Sequence, residues 1–153
     1  MRLKSLLMLV LVVLCGSLCA EGRAADRTPS APGASVAFGN LADGDVVPPA
    51  FVVRFVISGM GVAPAGSQIE NTGHFHLLID LAEMPDFDQP LPANDQIRHY
   101  GKGQTQAELD LPEGEHTLQL MLADHAHVPH DPPVVSDVIR IVVANDAPLE
   151  SES

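Results

Sequence analysis

The sequence predicts an all-β fold, an antiparallel β-sandwich of the immunoglobulin-like kind. Three observations predict it. Apolar and polar residues alternate with a period of two in several segments, turn residues separate those segments, and no long amphipathic helix interrupts them.

The elements follow in chain order. Val36 to Phe38 reads as a short first strand. Phe51, Val53, Phe55 and Ile57 alternate with Val52, Arg54, Val56 and Ser58, and the β-branched enrichment marks a half-buried strand. His74 to Asp80 reads as another strand, with Phe75, Leu77 and Ile79 facing the core and His74, His76 and Asp80 on the opposite face, which Leu78 interrupts. Thr105, Ala107, Leu109 and Leu111 alternate with polar partners, as do His116, Leu118, Leu120 and Leu122 with Thr117 and Gln119. The turn residues Pro112-Glu113-Gly114 between these two runs predict a hairpin. Ile139, Ile141 and Val143 form the last strand. Phe55, Leu77, Leu109, Leu120 and Ile141 are the expected core. Residues 80–103, with Pro85, Pro90 and Pro92 and no period, read as one long loop.

The ends differ in character. Arg2 and Lys4 precede an unbroken apolar run, Leu6 to Leu14, too short to span a bilayer comfortably, and small residues follow it. Residues 1–25 therefore read as a secretion signal, with cleavage after Ala20, Ala24 or Ala25, and the protein is expected to be periplasmic or secreted. Residues 26–35 read as a disordered Pro/Ala/Gly/Ser linker, 36–144 as the β-sandwich domain and 145–153 as an acidic tail.

Both cysteines, Cys15 and Cys19, lie in the leader. The mature chain thus has neither a disulfide nor a thiolate ligand. A net charge of −12 disfavours nucleic acid and anionic membrane surfaces as partners and is compatible with attracting cations. After signal cleavage no membrane association is expected. Gly101-Lys102-Gly103-Gln104-Thr105 lacks the spacing of a phosphate loop, and neither a Gly-x-Ser-x-Gly elbow nor a pair of carboxylates placed for acid/base work is present.

The chemistry concentrates in histidine. All seven histidines fall between His74 and His130. His74 and His76 share one strand face, a ready pair of imidazole ligands; the competing reading is two solvated histidines. Asp124-His125-Ala126-His127-Val128-Pro129-His130 repeats the spacing, and if extended it puts His125 and His127 on one face. His99 and His130 are further candidates, whereas His116, on an apolar strand face after a turn, reads as structural. Imidazoles without thiolates suit zinc, copper, nickel and iron. Met60, Met84 and Met121 are the mature methionines; Met60 could reach a copper(I) site, and Met121 reads as packing.

Residues 71–143 resemble an uncharacterised bacterial exported family, domain of unknown function 4399. The resemblance rests on Thr72-Gly73-His74-Phe75-His76-Leu77-Leu78-Ile79-Asp80, Gly101-Lys102-Gly103-Gln104-Thr105, Gly114-Glu115-His116-Thr117-Leu118-Gln119-Leu120 and Asp124-His125-Ala126-His127-Val128-Pro129-His130. In that family position 75 is commonly a third histidine; here it is Phe75. The resemblance implies an exported single domain and no established activity. The His-x-His strand is also faintly similar to that of copper-zinc superoxide dismutases, without their remaining ligand and disulfide pattern.

The leading expectation is a periplasmic metal-binding module, copper first and zinc second, for storage, delivery or sensing rather than catalysis. His74, His76, His125 and His127 are the expected ligands, with His99 and His130 in reserve. Another periplasmic protein is the secondary expected partner. The alternatives are an immunoglobulin-like interaction module without metal, a small superoxide-dismutase-like redox metalloenzyme, and a pH-responsive module built on histidine.

Overall fold

The structure, a computed structural model, describes residues 27–147. The expected signal peptide lies outside the described residues, as does the tail beyond Ala147. Within them the fold is all-β, with ten strands in two sheets and no helix.

The smaller sheet is antiparallel and orders β1 (Ser35–Phe38), β3 (Ala50–Ser58) and β7 (Gln106–Asp110) as β1-β3-β7. The larger contains β2 (Val46–Val47), β4 (Gly61–Val62), β5 (Thr72–Ile79), β6 (Ile97–Tyr100), β8 (Gly114–Ala123), β9 (Pro129–Val135) and β10 (Ile139–Val143). Its path is β2-β10-β8-β5-β4, with β6 paired to β5 and β9 to β8. It is mixed rather than purely antiparallel, because the short strands β2 and β4 run parallel to β10 and β5.

One apolar core draws on both sheets. Val36, Val53, Phe55 and Leu109 come from the smaller, and Phe75, Leu77, Leu118, Leu120 and Ile141 from the larger. All five residues expected in the core are buried. Phe55 tilts against both Phe75 and Tyr100, at 5.0 and 5.1 Å between ring centroids, a favourable aromatic separation.

Four expectations are corrected. Strands β7 and β8 do not form a hairpin: β7 pairs with β3 and β8 with β5 and β10, so Leu111–Glu113 carries the chain from one sheet to the other. Alternation sets which face is apolar, not which neighbour is paired, and both runs turn their apolar faces to the same core. The long loop 80–103 ends in a strand, β6, and its leading part covers the second face of β5. There Leu78, Leu91, Ile97, Met121 and Ala123 form a smaller apolar cluster. Leu78 is therefore buried rather than misplaced, and the histidine face of β5 is closed rather than solvated.

The segment read as a disordered linker is ordered from Arg27 onward. Ser30 N–H donates to Asp131 O at 3.0 Å, Asp131 N–H to Thr28 O at 3.0 Å, and Pro29 bridges Asp131 in parallel. Composition alone suggested a linker, but these bonds to β9 satisfy its backbone. Pro129–Val135 is a further strand that alternation does not mark; its prolines lie at one edge of the sheet, where missing N–H groups are tolerated.

Candidate metal centre

Register across three strands assembles the site. In the β5–β6 ladder His76 pairs with His99, and in the β5–β8 ladder His74 pairs with Ala123 and His76 with Met121. Directly opposed residues share a face, so His99, His76 and Met121 form a row across β6, β5 and β8. His74 lies one pleat away on the same face.

The fourth imidazole comes from the turn after β8. Asp124 follows that strand, and its Oδ1 accepts from Ala126 N–H at 2.8 Å and Val128 N–H at 3.0 Å. His127 N–H donates to Asp124 O at 3.0 Å. This tight turn leaves His127 at φ 68°, in the left-handed region that few non-glycine residues adopt. Leu91 N–H donates to the His127 carbonyl at 2.9 Å, so the covering loop braces the turn from above.

The four rings are mutual neighbours. Centroid separations are 4.9 Å for His74–His76, 4.9 Å for His74–His99, 5.0 Å for His74–His127, 5.1 Å for His76–His99, 6.1 Å for His76–His127 and 4.7 Å for His99–His127. One nitrogen from each of His74, His99 and His127 lies within 4.8 Å of the others. His74 and His76 are fully buried, while His99 and His127 are partly exposed. The cluster is sealed at its base and reachable from one side.

Both ring nitrogens of His74, both of His76 and Nε2 of His99 are buried without a hydrogen-bond partner. A buried polar atom left unpaired costs about 1–3 kcal/mol. Burial first, then the neighbouring imidazoles, pulls His74 down to about 4; burial and His74 pull His76 to about 3. His99 is lowered by burial and His127. Near neutral pH the buried pair is uncharged, with lone pairs free to ligate.

Two expected ligands stand elsewhere. His125 is on the far side of the Asp124 turn and joins none of the ring contacts, because the segment is a turn and not extended. His130 is fully buried on β9, its Nδ1 3.2 Å from the Thr28 carbonyl; its Nε2, also buried without a partner, lies against Gly73 and outside the group of four rings. Phe75 points into the main core, so position 75 does not face the cluster in this chain. His116, read as structural, bonds Asp80 Oδ2 at 2.6 Å and the Pro112 carbonyl at 2.9 Å, away from the cluster.

Sequence reasoning missed Asp124, Thr28 and Gly101. Asp124 Oδ2 accepts the Thr28 hydroxyl at 2.6 Å, and Arg27 donates to the carbonyls of Pro129 and His130. A Cβ on Gly101 would overlap the His99 ring. The aspartate was readable in principle, since Asp before a short polar run favours a side-chain-capped turn.

The family described as Domain of unknown function (DUF4399) matches residues 53–144. No curated protein matches, and no solved structure matches. The matched segment holds β4 to β10 and every histidine of the cluster, and the chain belongs to the DUF4399 family.

Proposed function

We propose that this chain is an exported metal-binding module that takes up copper or zinc through His74, His99 and His127, with His76 completing the donor set. The single observation that carries this reading is the cluster of converging imidazoles in which His74, His76 and His99 carry buried nitrogens without a hydrogen-bond partner. An ion would satisfy one nitrogen of each ring, and imidazole is a good donor for both metals. The role is storage, delivery or sensing. The two sheets that share one core support a sandwich of immunoglobulin-like kind as the scaffold, and the leader at residues 1–25 supports export to the periplasm or beyond.

Metal content of untagged protein purified from its native compartment tests the function. About one equivalent of copper or zinc is the expected result. Protein that contains neither, and whose melting temperature neither metal raises, would leave an interaction module as the better reading. Intact mass tests export: a mature chain beginning between Glu21 and Asp26 is expected.

A further inference from the structure

We propose that the centre is built for copper in its monovalent state, with the Met121 thioether as the soft donor that selects it. The inference rests on the metal-binding reading above and narrows it to one ion.

Charge is the first argument. The clustered donors are neutral imidazoles, and the described residues contain no cysteine. Asp124 is the one buried carboxylate among the described residues. It sits at the base of the turn that delivers His127, and its oxygens accept from the Thr28 hydroxyl and from two backbone N–H groups, which suits the ionised form. One buried negative charge balances one positive charge. The cost of transferring an ion out of water grows with the square of its charge, so a divalent ion costs about four times as much and stays half-compensated.

Donor softness is the second. Met121 is fully buried and directly opposite His76, which is itself directly opposite His99. Such cross-strand pairs hold their Cβ atoms about 4.5–5.5 Å apart, within reach of a flexible thioether. Leu78, Leu91, Ile97 and Ala123 share its buried cluster and keep the wall apolar. Thioether and imidazole in an apolar wall favour copper(I), whereas zinc(II) gains little from a thioether.

Anaerobic titration of the mature full-length chain with copper(I), in competition with a chromophoric copper(I) chelator, tests the proposal beside parallel titrations with zinc(II) and copper(II). Copper(I) is expected to bind at least about tenfold more tightly than zinc(II). Met121→Leu nearly preserves volume and should lower copper(I) affinity about tenfold, with a much smaller change in zinc(II) affinity. Divalent ions binding as tightly as copper(I), or a Met121→Leu chain that keeps its copper(I) affinity, would overturn it. A wild-type chain that binds no metal at all would instead sink the metal-binding reading on which it stands.

Discussion

His74 stands directly opposite Ala123 in the β5–β8 ladder, and the tight turn that leaves β8 brings His127 back to 5.0 Å from the His74 ring. The relationship joins a strand and a turn that sequence separates by about fifty residues. It also separates two histidines of one motif: His127 joins the ring cluster and His125 does not.

The first prediction follows from that distinction. His127→Ala and His99→Ala should each weaken copper or zinc binding by at least about tenfold, or 1.4 kcal/mol, while His125→Ala leaves it unchanged. Isothermal titration or chelator competition reads the difference. Equal losses for His125→Ala and His127→Ala would contradict the inward turn.

The second concerns acid. His74 and His76 titrate lower in the folded protein, at about 4 and about 3, than in the unfolded chain, where histidine sits near 6.5. Below that value the unfolded state binds more protons than the folded state, so metal-free stability falls as pH drops from about 6.5 toward 4. Urea unfolding midpoints measured across this interval should decline steadily, and metal-loaded protein should decline more steeply because protons also expel the ion.

His116 behaves in the opposite sense. Burial pulls it down, but the Asp80 carboxylate and the Pro112 carbonyl accept from its two nitrogens and raise it overall. Its contribution is therefore complete below the unfolded value and lost as pH rises through the raised one. His116→Ala should cost about 0.5–1.5 kcal/mol at pH 6, since Asp80 is partly exposed, and less at pH 8. Metal affinity should not change.

Two glycines separate site from scaffold. A Cβ on Gly73 would lie 2.6 Å from the Ala123 carbonyl and 2.8 Å from Leu122 Cγ, neither of which can move freely, so Gly73→Ala should destabilise the fold by about 1–3 kcal/mol. A Cβ on Gly101 meets chiefly the His99 ring, which can swing away. Gly101→Ala should then lower metal affinity more than the melting temperature; an unchanged affinity would argue against His99 as a ligand.

Leu120 is fully buried in the core to which both sheets contribute. Leu120→Ala should cost about 2–5 kcal/mol, read by chemical denaturation of metal-free protein.

Much of this was legible in advance because period-two alternation reports burial directly. It located β1, β3, β5, β7, β8 and β10 and five core residues, and it placed His74 and His76 on one face. It was silent where alternation is silent. Ile-Arg-His-Tyr in β6 is too short and polar to stand out, and prolines disguise β9. The two-residue strands β2 and β4 exist only through their parallel partners. Neither the sheet change at Leu111–Glu113 nor the αL turn at His127 follows from hydropathy, because both depend on backbone geometry and long-range pairing. Thus His99 was readable as a candidate but not as the partner of His76, and His125 could not be told from His127.

The tie between Thr28 and β9 changes what counts as the minimal folding unit. Thr28 and Asp124 are 96 residues apart, and the His130 to Thr28 contact spans 102. Closing such loops is slow, because chain entropy is lost before any contact rewards it. A polypeptide trimmed to residues 53–144 would lack β1, β2, the start of β3 and the hydroxyl that anchors Asp124. Its histidines would all be present, yet the hinge presenting His127 would have lost one of its moorings. Amide exchange at Ser30 and Asp131 should therefore slow when the ion binds, which makes the contact between residues 28–30 and β9 a remote reporter of occupancy.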